Sequence, residues 1–282
     1  MERKTRRVLI TGAAGGIGRA CAREFIRSGE DYELVLTDVN QEALDAVVRS
    51  LREHGGRIHA RVVDVTDRAS VEAMARWVID ELGGLDILIN NAGIGYSGEL
   101  RETSLETWKR LIAVNLMGPL YHLYAFLPHM IARGSGHIVN VSSGQAFFQL
   151  PTWGAYACIK TALGAVSEVS YFELKKHGIK VTTVYPYLVN TNFYAGFEPK
   201  NLAQHLSMKL LPYVAMSPDK VGRIIYDAVA KGKRIELVST INRVAQFTHA
   251  VPWLASGMRA LASRFLVPER DPTLPARAES PL

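Results

Sequence analysis

The strongest constraint on this chain is an alternation. Seven short runs rich in β-branched residues, at 8–11, 33–37, 57–63, 86–90, 137–141, 180–185 and 234–239, are separated by stretches with apolar residues at helical spacing, notably 42–51, 71–82, 105–131, 156–176 and 221–229. The runs are apolar almost throughout instead of at every second residue, as expected of parallel strands covered on both faces. Parallel neighbours need crossovers, and the intervening helices supply them. The pattern therefore predicts an α/β fold: a Rossmann-type doubly wound domain with a seven-stranded parallel sheet and helices on both faces. Gly29 and Gly178 stand just past helical stretches, where left-handed C-cap residues fall.

No repeat or linker divides the series, so one domain over 1–266 is the expectation. With 282 residues, 48% apolar and 21% charged, the chain is neither disordered nor collagen-like and can build a core without staples. Cys21 and Cys158 lie far apart without metal-ligand spacing, which predicts two small buried thiols in a reducing compartment and no metal site. The formal charge of +6 is modest, and Arg3, Lys4, Arg6 and Arg7 carry four of its basic residues, so nucleic-acid binding is not implied. A basic start before Val8, Leu9 and Ile10 superficially copies a secretory leader, but Thr11 and Gly12 end the apolar stretch and Arg19 interrupts it. The expected location is cytoplasmic. No window of about 18 uninterrupted apolar residues occurs, so a membrane-crossing helix is not expected.

The first strand runs into Thr11-Gly12-Ala13-Ala14-Gly15-Gly16-Ile17-Gly18. Glycines there allow a tight turn and a close approach to a pyrophosphate, which the following helix meets with unpaired N–H groups. Asp38 ends the second strand about 20 residues beyond the last glycine, where a carboxylate accepts from adenosine ribose hydroxyls and repels a 2′-phosphate. Val39 and Asn40 bring no arginine to receive such a phosphate, so NAD (NADH) is predicted and NADP disfavoured. Asp64 and Val65, at the end of the third strand, suit the adenine amino group and ring; a helix-capping role for Asp64 competes.

Tyr156 and Lys160 lie one helical turn apart and share a face. An ammonium at ~5 Å in an effective dielectric of ~20 favours a phenolate by about 3 kcal/mol, roughly two pKa units, which brings tyrosine toward acid/base work near neutrality. Such pairs are common on solvated faces, and the surroundings give this one meaning. The fifth strand ends in Ser142-Ser143, Asn90-Asn91-Ala92-Gly93 follows the fourth, and Asn115 sits in the next helix. All open on the carboxyl-end crevice where such folds bind ligands.

In this order and spacing, the glycine turn, Asn90 to Gly93, Asn115, Ser143, Tyr156 and Lys160 resemble the classical short-chain dehydrogenase/reductases, over roughly residues 5–240. The resemblance implies a tetrad. Tyr156 would be the general acid/base and Lys160 would lower its pKa and hold the nicotinamide ribose. Ser143 would bond the substrate oxygen, and Asn115 would anchor a water relay to Lys160. Gly12, Gly16, Ile17, Gly18, Asn91, Ala92 and Gly93 would line the cofactor, with Pro186, Val189 and Thr191 on its nicotinamide side. The reaction implied is hydride transfer between a secondary alcohol and a ketone. Two positions depart from the pattern: Tyr187 replaces the usual glycine after Pro186, and Ile159 replaces the usual serine before the lysine. Epimerases of the extended relatives share the tyrosine and lysine but have another glycine spacing. A non-catalytic NAD-binding or scaffold protein is the remaining alternative.

Two segments exceed what the alternation needs. Residues 187–216 are expected to form a substrate lid, with Phe193 among many apolar residues, facing Tyr96, Phe148 and Trp153 across the pocket. Together they predict a bulky lipophilic substrate: a steroid, a retinoid, or a long-chain or aromatic alcohol. Residues 240–266 read as amphipathic helices broken at Pro252, destined for the lid or core, a subunit interface, or peripheral contact with a membrane through 241–266. Relatives often assemble through the helices corresponding to 105–131 and 156–176, which implies a homodimer or homotetramer. The remaining 267–282 are a polar, proline-rich tail.

Overall fold

The computed structural model describes residues 5–194, 197 and 202–267, so residues 268–282 of the expected tail and part of the expected lid lie outside the described residues. Seven parallel strands form one sheet in the order β3-β2-β1-β4-β5-β6-β7. They are β1 Arg6–Thr11, β2 Tyr32–Asp38, β3 Arg57–Val62, β4 Ile87–Asn90, β5 Gly136–Val141, β6 Ile179–Tyr185 and β7 Ile235–Leu237. The order reverses between β1 and β4, and that is where a crevice opens at the carboxyl ends of the strands.

Side chains alternate between two apolar layers, because successive residues of a strand point to opposite faces. Val8, Ile10, Leu34, Leu36, Ile87 and Ile89 pack with helices α1 (Gly16–Arg27), α2 (Gln41–Arg52) and α9 (Pro218–Lys231). Leu9, Val35, Leu88, Ile138 and Val181 face α3 (Arg68–Leu82), α5 (Gly118–Arg133) and α7 (Gly154–Leu174). Phe25 and Phe126, both fully buried, anchor the two layers; truncating either to alanine costs about 3–5 kcal/mol. Gly178 takes the left-handed φ of +72° that ends the α7 region, and Gly29 takes +71° after α1.

Three expectations change. The single helix predicted over 105–131 is α4 (Leu105–Ile112), a π-helical turn at Ala113–Met117, and then α5. Taken together, Leu105–Arg133 is long enough to cross a membrane and contains an 18-residue window apolar enough to do so, with a mean hydropathy of 1.3. Here it is a layer helix: its Leu123, Phe126 and Met130 are buried against the sheet. Cys21 is buried as expected, but Cys158 is exposed, because α7 turns Tyr156 and Lys160 inward and position 158 faces the other way. The last predicted strand shrinks to three residues, since Ser239 caps the following helix, accepting from Asn242 N–H at 3.2 Å.

Two further helices follow β7, α10 (Thr240–His249) and α11 (Pro252–Leu266), with Pro252 in the first turn of the second. Before α9, α8 spans Leu202–Val214, and the short α6 (Gln145–Phe148) follows β5. Asn242 ties α10 to the body by donating from Nδ2 to the Tyr185 carbonyl at the end of β6.

Candidate active site

The nucleotide end of the crevice is built from backbone. Thr11 Oγ accepts from the N–H groups of Asn91 and Ala92, both at 3.0 Å, joining the ends of β1 and β4. Asn91 Nδ2 returns the link by donating to the Thr11 and Gly12 carbonyls at 2.9 and 3.1 Å. A Cβ on Gly12 would lie 2.8 Å from Ala92 Cα, and one on Gly18 would lie 2.3 Å from the Gly12 carbonyl oxygen. Glycine is required at both by the close packing of the turn on its neighbours.

The cleft beside this turn measures about 510 Å³, and its lining includes Gly12, Gly16, Ile17, Asp38, Asp64 and Val65. Ala92, Gly93, Val114 and Thr191 line it too, so most of the expected cofactor residues converge there. Asp38 accepts from Ala14 N–H at 3.0 Å and Asn40 N–H at 3.1 Å, so the glycine turn and the end of β2 fix its carboxylate at the cleft. Asp64 instead closes a local turn, accepting from the Thr66 N–H and hydroxyl at 2.8 Å. The helix-capping role weighed for it belongs to Asp67, which accepts from Ala69 N–H.

The N-terminus of α1 faces this cleft with no side-chain cap, whereas Asn40, Asp67, Ser104, Ser217 and Ser239 cap the helices that follow them. Its first-turn N–H groups and partial positive charge are therefore left for an anion. Donor set, cleft and carboxylate fit a dinucleotide.

At the other end Tyr156, Lys160, Ser143, Trp153, Tyr187, Val189 and Phe193 share a cavity of about 120 Å³. Burial pushes the Tyr156 phenol up, opposed by a hydrogen bond with Ser143. This revises the sequence expectation of a phenol lowered by its lysine. Lys160 Nζ stands 5.8 Å from the Tyr156 ring centre and donates to the Val141 carbonyl at 3.0 Å. Burial brings the Lys160 ammonium itself down to about 8.

Asn115 lies in the π turn, a widened geometry that recurs at functional sites. Its Nδ2 donates to the Ile94 and Leu111 carbonyls at 3.0 and 3.1 Å, and its Oδ1 accepts from Ile94 N–H at 3.2 Å. These bonds fix the loop after β4. A Cβ on Gly93 would sit 2.8 Å from Asn115 Oδ1 and 3.5 Å from Lys160 Nζ, so glycine keeps the space between them open.

Aromatic rings close the cavity. Phe193 lies 5.6 Å from the Tyr156 ring and Trp153 5.8 Å, both edge-on. Phe197 stands 5.1 Å from Trp153. Tyr96 lines an adjoining cleft with Phe193 and Phe197. Phe148, expected in the substrate pocket, lines a separate cavity beneath α11 with Met258 and Ala255, because α6 turns it away from Tyr156. It stacks on Tyr187 at 4.8 Å, and Tyr187 lines both cavities. The ring in place of glycine is thus a partition between them. Leu188 beside it holds a left-handed φ of +43°. Pro186 fixes the approach by accepting from Gly144 N–H at 2.7 Å, and Thr191 lies across the turn, where a Cβ on Gly16 would approach it to 2.6 Å. Ile159 joins the apolar cluster around Tyr156 and Leu111. Tyr194, one of the apolar residues of the expected lid, also lines the cavity, as does Gln145, which falls in no recognisable spacing.

Comparison with known proteins agrees with this geometry. Residues 6–201 match the family model for short chain dehydrogenases. The chain is 36% identical over 242 residues to the probable oxidoreductase EphD of Mycobacterium tuberculosis, covering 82% of this chain and 40% of that protein. It therefore spans about two fifths of that relative's length. It is 34% identical over 266 residues to dehydrogenase/reductase SDR family member 7B of Bos taurus, covering 91% of this chain and 80% of that one. Among solved structures, a short chain dehydrogenase/reductase of Burkholderia phymatum in complex with NAD superposes with a TM-score of 0.81 at 26% identity, covering 99% and 100% of the two chains. A short-chain dehydrogenase of Streptomyces avermitilis gives 0.78 at 29%, over 93% and 98%. Motif order, strand order and sequence identity converge on one lineage, and the chain belongs to the short-chain dehydrogenase family of oxidoreductases.

Proposed function

We propose that this chain is an NAD(H)-dependent oxidoreductase that interconverts a secondary alcohol and a ketone on a bulky lipophilic molecule. The observation that carries the reading is the meeting of Ser143, Tyr156 and Lys160 in one cavity roofed by Phe193, next to the cleft that holds Asp38. The residues that would hold the dinucleotide are the glycine turn, Asp38, Val65, Ala92 and Thr191. When bound, its nicotinamide supplies or takes the hydride.

The chain's own residues handle the oxygen and its proton. Ser143 donates to the substrate oxygen and orients it toward Tyr156. A phenol held up by burial carries its proton at neutral pH, the form that protonates a nascent alkoxide during reduction. In the oxidative direction the same phenol must be deprotonated, and the Lys160 ammonium nearby favours that form. Asn115 holds the loop at Ile94 against α4 and so keeps Gly93 beside Lys160. The rings of Trp153, Phe193 and Tyr194 exclude water and suit an apolar substrate.

Asp38 supports NAD(H) over NADP(H), because a carboxylate fixed at the cleft disfavours a second negative charge. NAD accompanies the Burkholderia phymatum relative. Exposed Tyr124 on α5, with Val169 and Phe172 on α7, supports self-association through those helices. The test is turnover with NADH and NADPH across steroid, retinoid, long-chain and aromatic ketones, against a small polar ketone. Lipophilic ketones with NADH are expected to lead; comparable efficiency on the polar ketone, or a preference for NADPH, overturns the corresponding half of the proposal.

A further inference from the structure

The C-terminal helices are inside out. An amphipathic helix on a protein body normally turns its large apolar residues inward. Helix α10 instead buries Asn242, Ala245 and Thr248 and exposes Ile241, Val244 and Phe247. Helix α11 buries Ala255 and exposes Trp253, Leu261 and Phe265 at four- and eight-residue spacing. Helix α8, which packs against α11, exposes Leu202, Leu206, Leu210 and Tyr213 along one side. The exposure is large: 69% for Phe247, 76% for Trp253 and 85% for Tyr213.

Charge selects what covers this face. From 199 to 218 and from 237 to 267 the chain has no aspartate or glutamate, while Lys209, Arg243, Arg259 and Arg264 are basic. Lys209, Arg243 and Arg264 are exposed. Another exposed apolar face, around Phe172 on α7, has Glu168, Glu173, Lys175 and Lys176 among its neighbours in sequence and so has both signs of charge to offer a second copy. Two copies meeting through α10 and α11 would bring like charges together. An anionic surface relieves that, and apolar side chains ringed by arginine with tryptophan among them are the makeup of a bilayer-surface helix.

We infer that α8, α10 and α11 form a docking face for an anionic lipid bilayer. The face lies beside the candidate site. Helix α8 follows the ring-bearing segment that roofs Tyr156, and the cavity beneath α11 is separated from the Tyr156 cavity by Tyr187. The docking itself stands or falls apart from the substrate assignment, because it rests on α8, α10 and α11 alone.

The test is flotation of the full chain with vesicles of phosphatidylcholine alone and of phosphatidylcholine mixed with phosphatidylglycerol. Binding is expected on the anionic vesicles and is weakened by salt. The triple variant Phe247→Ser, Trp253→Ser, Leu261→Ser is expected to lose about tenfold or more in vesicle partition. Its melting temperature and NADH affinity should stay unchanged, since all three side chains face out. Arg243→Gln with Arg264→Gln should lose about fivefold per charge on anionic vesicles only. No flotation by the wild type, or equal flotation by the triple variant, overturns the inference. So does a wild-type mass in solution that halves in the triple variant without vesicle binding, which would assign the face to a second copy.

Discussion

At the glycine turn the crevice is made of backbone held by polar bonds, whereas beyond Pro186 it is made of rings resting on rings. Thr11, Asn91 and Asp38 satisfy main-chain groups of three strand ends, and each bond has one geometry. Phe193, Trp153, Tyr194 and Phe197 touch edge-on at 5.1 to 6.4 Å, contacts that many rotations and many rings can satisfy. The first arrangement suits a ligand that never changes. The second suits a pocket whose size is set by its side chains and altered without unfolding the sheet.

Substitutions separate the two halves, and the largest effect belongs to the residue where they meet. Tyr156→Phe is expected to lower turnover by about a thousandfold while NADH binding, followed by fluorescence, stays nearly constant. Retained turnover would remove the acid/base role and favour a binding protein. In the polar half, Thr11→Val leaves two part-buried N–H groups without their acceptor, an expected loss of about 2 kcal/mol in urea unfolding. A loss no larger than that of a surface substitution would break the contrast. Asp38→Asn keeps the shape and removes the charge; the preference for NADH over NADPH should narrow by about tenfold in kcat/KM.

In the ring-built half, Phe193→Ala should raise KM for a bulky ketone by about tenfold with little change in melting temperature, because the ring is half-buried at the edge of the small cluster around Tyr156 and belongs to neither layer of the sheet. A large drop in melting temperature would make the roof part of the scaffold. The smallest effect is acid sensitivity. Burial lowers His122 and His137 to about 4, so both stay neutral in the folded chain while the unfolded chain protonates them below about 6.5. Their contribution to stability is complete above that value and is lost as pH falls toward 4. His122→Leu should therefore flatten the decline of the urea midpoint between neutrality and about pH 5. An unchanged slope would place the acid sensitivity elsewhere.

Much of this was legible in the residues. Strand runs of unbroken apolar character give parallel pairing and, with right-handed crossovers, nearly fix the strand order. The spacing of Tyr156, Lys160, Ser143 and Asn115 puts them at adjacent strand ends. Sequence was weaker wherever a contact spans distant segments. The turn at Ala113–Met117 reads as ordinary helix, because nothing local marks a π turn that Asn115 fixes through Ile94. The elevation of the Tyr156 phenol could not be read either, since it depends on burial under Phe193 and Trp153.

The alternation that constrained the fold is a local property: period and β-branching act within a few residues, so the sequence by itself determined the sheet, its crossovers and the site at its carboxyl edge. Direction of facing is a collective property. Whether Phe148 enters the pocket, whether Tyr187 blocks or divides it, and whether Phe247 and Trp253 turn inward all depend on which neighbour competes for the same space. Those choices were decided only by the tertiary structure, which set Phe148 and Tyr187 together as a partition and turned the C-terminal apolar residues out.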